Sequence, residues 1–256
     1  MKKGTERKVL ILIIAIFIVS RLIIFSIGYL SSFIITKDTF ASTNPSILDL
    51  FCKWDSGWYL SIEKNGYDYT PGKESSVNFF PLYPLLINLF AFIFGNPKLM
   101  GCLISNISLL LASIYLYKLA RLDFDESVSM SSVLLMLIFP TSFFFSIIYT
   151  EGLFLFLSIS AFYYARKRNW KIVGVLGFFA SLTKFIGVFI FIPLLFEYLE
   201  LNFSSFKLKK EKIKKDMLYL LLIPAGLLSF MVYLYLFRIC KDTGTVRIQQ
   251  HLPELF

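Results

Sequence analysis

Residues 79–94 read FFPLYPLLINLFAFIF, and whether this run crosses a membrane decides the sidedness of everything after it. A helix needs about 20 apolar residues to span roughly 30 Å of hydrocarbon. This run has 16, with Pro81 and Pro84 near its start. The flanking apolar runs at 9–35, 97–118, 127–147, 150–165, 171–183, 185–200 and 216–238 are all candidate spans.

Composition agrees with a membrane chain. Of 256 residues, 57% are hydrophobic, and mean hydropathy is +0.69. Soluble domains lie nearer 45–50% apolar. The net charge of +9 sits in short loops between apolar runs, which is the positive-inside pattern and not a nucleic-acid surface. The reading is an all-α polytopic membrane protein that binds the lipid bilayer and no nucleic acid.

Charge settles the ambiguous run. If 79–94 lies in the outer interface as an amphipathic or re-entrant helix, 16 of the 26 Lys and Arg fall inside. Those include the six lysines of FKLKKEKIKK at 206–215, a loop suited to anionic lipid. If the run crosses, the 12 basic residues placed inside from Lys118 onward move outside. The non-crossing arrangement is therefore expected. By the same logic 171–200 is a hairpin with its turn near Thr183–Gly187, its short arms meeting a thinned membrane or a cavity. About seven spans result, with the N-terminus cytoplasmic and the C-terminus outside. Residues 1–256 form one domain, and an external region at 36–96 carries juxtamembrane helices. The N-terminal apolar run is too long for a signal peptide and reads as an uncleaved span. Cys52, Cys102 and Cys240 have no metal or redox spacing and read as inert buried thiols, with a Cys52–Cys240 disulfide as the alternative.

The external region contains FCKWDSGWY at 51–59. Taken as one helix over 47–66, it brings Leu48, Phe51, Cys52, Trp58, Tyr59 and Ile62 within roughly 60° of Asp55. Lys53, Lys64 and Asp49 fall on the far side. Asp55 would then sit on the apolar face, where burial raises a carboxyl pKa towards the range of a general base. The competing reading is a salt-bridged or capping aspartate among aromatics of a membrane belt.

Other polar residues stand out against the apolar background. Glu151 opens the span at 150–165 on the same side as Asp55. A first-turn glutamate favoured by the helix dipole, with Thr150 as N-cap, is the plain alternative. Two carboxylates converging there would suit acceptor orientation or a divalent metal. Lys184 is the one charge at the turn of the 171–200 hairpin and could hold a lipid phosphate. Arg21 lies inside the first span, where a partner or phosphate is the default expectation. His251, the single histidine, excludes a histidine-rich metal site.

The ordered run FCKWDSGWYLSIEKNGY, NFFPLYPLL, FPTSFFFSIIYTEGLFLFL and SLTKFIGV resembles the second GPI-anchor mannosyltransferase family and its prokaryotic relatives. The similarity runs from Arg21 to about residue 200. It implies a GT-C-type helical bundle and inverting transfer of mannose from a polyprenyl (dolichyl) phosphate to a glycan or glycolipid acceptor on the outer or lumenal face. In a prokaryote that is the plasma membrane. It places the essential aspartate at Asp55 and the second external carboxylate at Glu151. Relatives carry Arg where this chain has Lys184, and they continue for several spans beyond the seventh.

The implied chemistry needs one base. Asp55 would take the acceptor proton while Arg21 or Lys184 stabilises the departing phosphate. Trp54, Trp58, Tyr59 and Tyr83 would stack on sugar or lipid. A lipid-linked sugar transporter or flippase, or a non-catalytic membrane subunit, is the alternative.

Overall fold

The computed structural model describes residues 3–35, 47–69, 72–203 and 216–242, which are helical with short 3-10 turns and no strand among them. The helices are α1 (Lys3–Ile35), α2 (Ser56–Asn65), α3 (Leu82–Phe94), α4 (Pro97–Ala120), α5 (Glu126–Ile138), α6 (Glu151–Arg166), α7 (Trp170–Thr183), α8 (Phe191–Phe203) and α9 (Leu222–Asp242). Residues 36–46, the 206–215 polybasic run and His251 lie outside the described residues, as does the side chain of Cys240. Cys52 and Cys102 are free thiols, the first half-buried and the second buried.

Local chemistry sets the boundaries. Asn96, Asp125 and Asn169 accept from the amides of Leu99, Val128 and Ile172, capping α4, α5 and α7. Pro97 opens α4, where its missing N–H costs no hydrogen bond. Gly95 ends α3 at φ +78, a conformation that excludes a Cβ at little cost only for glycine.

Three stretches are long and apolar enough to cross a membrane: Arg7–Ser31, Pro97–Ala120 and Asp216–Phe237. The other four expected spans are present as helices but shorter. α5, α6, α7 and α8 have 13 to 16 residues. At 1.5 Å per residue they reach only about 20–24 Å. The expected span at 127–147 is cut at Pro140, and the one at 185–200 starts as a 3-10 turn, Phe185–Ile190. α3 is likewise too short, at 13 residues, to cross. It buries Tyr83 and Ile87 against α4 and leaves Leu85, Leu89, Phe92 and Phe94 exposed.

The 171–200 hairpin is present. Trp170, at the start of α7, and Tyr198, near the end of α8, meet with ring centroids 4.9 Å apart, so the arms run back alongside each other. At that end Arg166 grips Asp123 with two bonds of 2.6 and 2.7 Å and reaches Glu197 at 3.4 Å, joining the ends of α6 and α8 to the α4–α5 turn.

The core depends on small residues where helices cross. A Cβ on Gly174 of α7 would lie 2.2 Å from the carbonyl oxygen of Tyr219, a backbone atom that cannot swing aside. Gly28 of α1 has nothing within 4 Å. Gly174→Ala should therefore cost about 1–3 kcal/mol through overpacking, whereas Gly28→Ala should be neutral or slightly stabilising. Thermal unfolding of the detergent-solubilised pair checks this difference.

Candidate active site

The site grows from a break between α5 and α6. Pro140 has no N–H and forces the preceding residue out of helical geometry; Phe139 is at φ −54, ψ 139. The chain then makes one 3-10 turn, Ser142–Phe145, and does not resume an α-helix until Glu151. This irregular stretch is buried: Ser142, Ser146, Ile148 and Thr150 are almost wholly enclosed. Buried backbone polar groups must find partners inside the protein.

Arg21 supplies part of this, at the carbonyls of Leu137 and Ser142, and also bonds three serine hydroxyls. Its Nη2 donates to the Leu137 carbonyl at 2.6 Å and to Ser142 Oγ at 3.4 Å. Its Nη1 donates to the Ser142 carbonyl at 3.1 Å and to Ser146 Oγ at 2.7 Å, and Nε reaches Ser20 Oγ at 3.3 Å. A guanidinium has five N–H groups, and these bonds use all five. A cation at the C-terminal carbonyls of α5 also opposes the helix dipole. The expected phosphate partner is thus replaced by the α5–α6 break, and Arg21 has no donor left for a phosphate. Further along, Asn106 donates to the Ser146 carbonyl at 2.9 Å and Ser105 to the Tyr149 carbonyl at 3.1 Å. Gly152 makes room for the latter contact, since a Cβ there would sit 2.7 Å from the Ser105 carbonyl oxygen.

The loop with Asp55 docks on this stretch. The Ile148 amide donates to the Phe51 carbonyl at 3.2 Å, and the Asp55 amide donates to the Tyr149 hydroxyl at 2.9 Å. The continuous helix expected over 47–66 is broken. A 3-10 turn covers Ile47–Phe51, residues 52–55 are irregular, and α2 starts at Ser56. Trp54 sits at φ +50, a left-handed conformation that costs an L-residue roughly 1–2 kcal/mol. Such strain persists only where the surroundings enforce it. Here the enforcing groups are Phe143 and Phe144, with ring centroids 6.1 and 5.7 Å from the Trp54 ring, and the Tyr149 hydroxyl.

The break corrects the expectation for Asp55. It is exposed and not on a buried apolar face, so burial is not what would prepare it as a base. It occupies the N-cap position of α2 yet its side chain makes no cap bond. Among the described residues its carboxylate has neither hydrogen bond nor ion pair. Neither the capping nor the salt-bridged reading of Asp55 describes this arrangement.

Glu151 begins α6 two residues after Tyr149. Its Oε1 accepts from Lys184 Nζ at 2.6 Å, with both side chains partly exposed. Its Oε2 is buried without a hydrogen-bond partner among the described residues. Thr150 stands at the N-cap position without a side-chain cap bond, and its Oγ1 instead lies 3.4 Å from the Tyr59 hydroxyl. Burial pushes the Tyr59 phenol well above its ordinary range, and the charges of Glu151 and Asp55 add to that. Tyr59 therefore stays protonated, with both carboxylates close by.

Five predicted residues thus converge at one end of the bundle: Trp54, Asp55, Tyr59, Glu151 and Lys184. Trp54 and Asp55 are exposed, Trp54 to 68%. Trp58 is half-buried and stacked on Phe79 at 5.5 Å. Tyr83 is fully enclosed, its hydroxyl donating to the Gly101 carbonyl at 2.9 Å and lying 2.7 Å from Ser105 Oγ, so it serves as a joint between α3 and α4. The sequence reading missed Tyr149, Ser105 and the Phe143–Phe144 pair. Tyr149 directly precedes the Thr-Glu pair already singled out, which was the available signal. Nothing marked Ser105. The divalent-metal alternative does not fit the donor set: Lys184 already holds one oxygen of Glu151, and no group of three or more His, Cys, Asp or Glu comes together among the described residues.

Comparison with known proteins gives one match. The family model described as dolichyl-phosphate-mannose-protein mannosyltransferase matches residues 78–236, more than half of the chain. No curated protein and no solved structure matches the chain.

The ion pair has a measurable signature. Lys184→Met leaves the Glu151 carboxylate without its cation, while the double change with Glu151→Gln removes both charges. The double variant should regain about 1–2 kcal/mol relative to the sum of the single losses. Denaturation of the four proteins of this cycle in detergent checks it, and strictly additive losses would show that the pair is not coupled.

Proposed function

The chain belongs to the dolichyl-phosphate-mannose-protein mannosyltransferase family, and on that premise we propose that it transfers mannose from a polyprenyl-phosphate donor to a hydroxyl of a glycan or glycolipid at the outer membrane face. The observation that carries this reading is the pairing of two carboxylates in opposite states at one end of the bundle. The Asp55 carboxylate is exposed and makes no bond among the described residues, whereas Glu151 is held by Lys184.

The chemistry divides between them. A sugar hydroxyl is a poor nucleophile, so the Asp55 carboxylate takes its proton as the oxygen attacks the anomeric carbon. The bond from that carbon to the phosphate oxygen breaks, and its electrons leave with the polyprenyl phosphate. Phosphate is a sufficiently good leaving group to need no protonation. Displacement from the face opposite the leaving group inverts the configuration, as in inverting glycoside chemistry with a sugar hydroxyl in place of water. Lys184 is the cation available for the charge on the departing phosphate, since Arg21 is fully engaged. Trp54 offers an open ring beside Asp55 for stacking on the sugar.

The family description names a protein acceptor. The resemblance over residues 21–200 to the GPI-anchor enzymes favours the glycan or glycolipid instead. The chemistry at Asp55 is the same for either, so one experiment addresses both. Membranes holding equal amounts of wild type or Asp55→Asn receive labelled polyprenyl-phosphate mannose, and products are separated into lipid, glycan and protein fractions. Label should enter the lipid or glycan fraction with wild type and fall at least about 100-fold with Asp55→Asn. Equal labelling by both proteins would remove Asp55 from the chemistry, and label in protein alone would replace the acceptor.

A further inference from the structure

We propose that Tyr149 is the positioning residue for Asp55: its hydroxyl accepts the Asp55 amide and holds the strained Trp54–Asp55 turn in place. The inference rests on the mannosyl-transfer reading for its kinetic consequence, but not for its structural one.

Three observations carry it. The first is the bond itself, 2.9 Å from the Asp55 nitrogen to the Tyr149 oxygen, across 94 residues of sequence. The second is the strain. Trp54 at φ +50 will relax unless held; its ring contacts with Phe143 and Phe144 and the local bonds from the Ser56 amide to the Lys53 carbonyl and from Ser56 Oγ to the Phe51 carbonyl hold it from within, and this bond ties its Asp55 end to the α5–α6 segment. The third is the rigidity of the anchor. The Tyr149 ring packs on Phe144 and Tyr59, at 5.5 and 6.3 Å, and its carbonyl accepts from Ser105 on α4. The adjacent Ile148 amide bonds Phe51, so the loop is stitched to this segment on both sides of residues 52–54.

The consequence is a fixed spacing between the two carboxylates. Glu151 follows Tyr149 by two residues and opens α6, whereas Asp55 comes from a loop that has no side-chain cap of its own. Tyr149 ties one to the other. A base displaced by about 1 Å can lose on the order of 100-fold in rate. Removing this hydroxyl should therefore slow transfer while leaving donor binding largely intact.

Tyr149→Phe keeps the ring and deletes only the acceptor oxygen. Tyr115→Phe, which removes a hydroxyl paired with Tyr164 away from the site, serves as the control. Two readouts are taken on each full-length protein in lipid nanodiscs. Hydrogen exchange of the peptide covering residues 52–60 should quicken at one amide by about 10-fold or more in Tyr149→Phe and not in Tyr115→Phe. With polyprenyl-phosphate mannose as donor, kcat should fall about 10- to 100-fold, with donor KM changed less than about twofold. Unchanged exchange overturns the positioning role whatever the kinetics. Faster exchange with unchanged kcat overturns its link to the reaction. Faster exchange in a protein whose wild type transfers no mannose supports the latch and overturns the mannosyl-transfer reading instead.

Discussion

Backbone that leaves the helix while buried in an apolar protein must have each donor and acceptor met from within, and residues 142–150, largely enclosed, impose that demand on their neighbours. Pro140 makes the break unavoidable. Four helices then contribute to closing it: α1 through Arg21, α4 through Ser105 and Asn106, α5 through its own terminal carbonyl at Leu137, and α2 through Tyr59. An intramembrane arginine, which looks like a functional charge, is here what makes the break tolerable. The same requirement explains why the loop at 47–55 folds onto this stretch and not elsewhere. Phe51 and Asp55 supply the partners that Ile148 and Tyr149 still lack.

The positions of the proposed site residues follow from that closure. Glu151 is at the site because α6 must restart where the break ends. Asp55 is there because its amide donates to the Tyr149 hydroxyl, beside the Phe51 carbonyl that accepts from Ile148. The left-handed Trp54 is the local cost, and its exposed ring beside the carboxylate is the result. The opposite end of the bundle shows a contrasting use of charge. Arg166, Asp123 and Glu197 are partly exposed and matched to one another, an arrangement that fastens helix ends and leaves no carboxylate or cation of the three without a partner.

Much of this was legible in the residues. The long apolar runs marked the helices, the prolines at the start of 79–94 marked a short helix there, and the charges marked the 171–200 hairpin. Convergence of Asp55, Glu151 and Lys184 could be anticipated from placing them on one side of the membrane. What periodicity could not show was the state of each group. Asp-Ser-Gly at 55–57 is itself a helix-start signal, but a run of aromatics at helical spacing masked it, so the break before Ser56 was overlooked. A tryptophan at positive φ has no sequence signature, because the conformation is imposed by Phe143, Phe144 and Tyr149 from far along the chain. For Arg21 a partner or a phosphate was expected; the partners are carbonyls and hydroxyls, which leave no charge pattern to identify them in advance. The spans at 127–147 and 185–200 were overestimated for the same reason: apolar composition continues through Pro140 and Phe185, while α-helix geometry does not.

The most direct test of the account is a structure of the protein with a phosphonate analogue of polyprenyl-phosphate mannose, in which the bond to the sugar cannot be cleaved. The account predicts the phosphonate against Lys184, the mannose ring on Trp54, and the anomeric carbon facing the space in front of the Asp55 carboxylate, with the Asp55–Tyr149 bond intact. An analogue seated at the Arg166 end, or one whose sugar lies out of reach of Asp55, would contradict it.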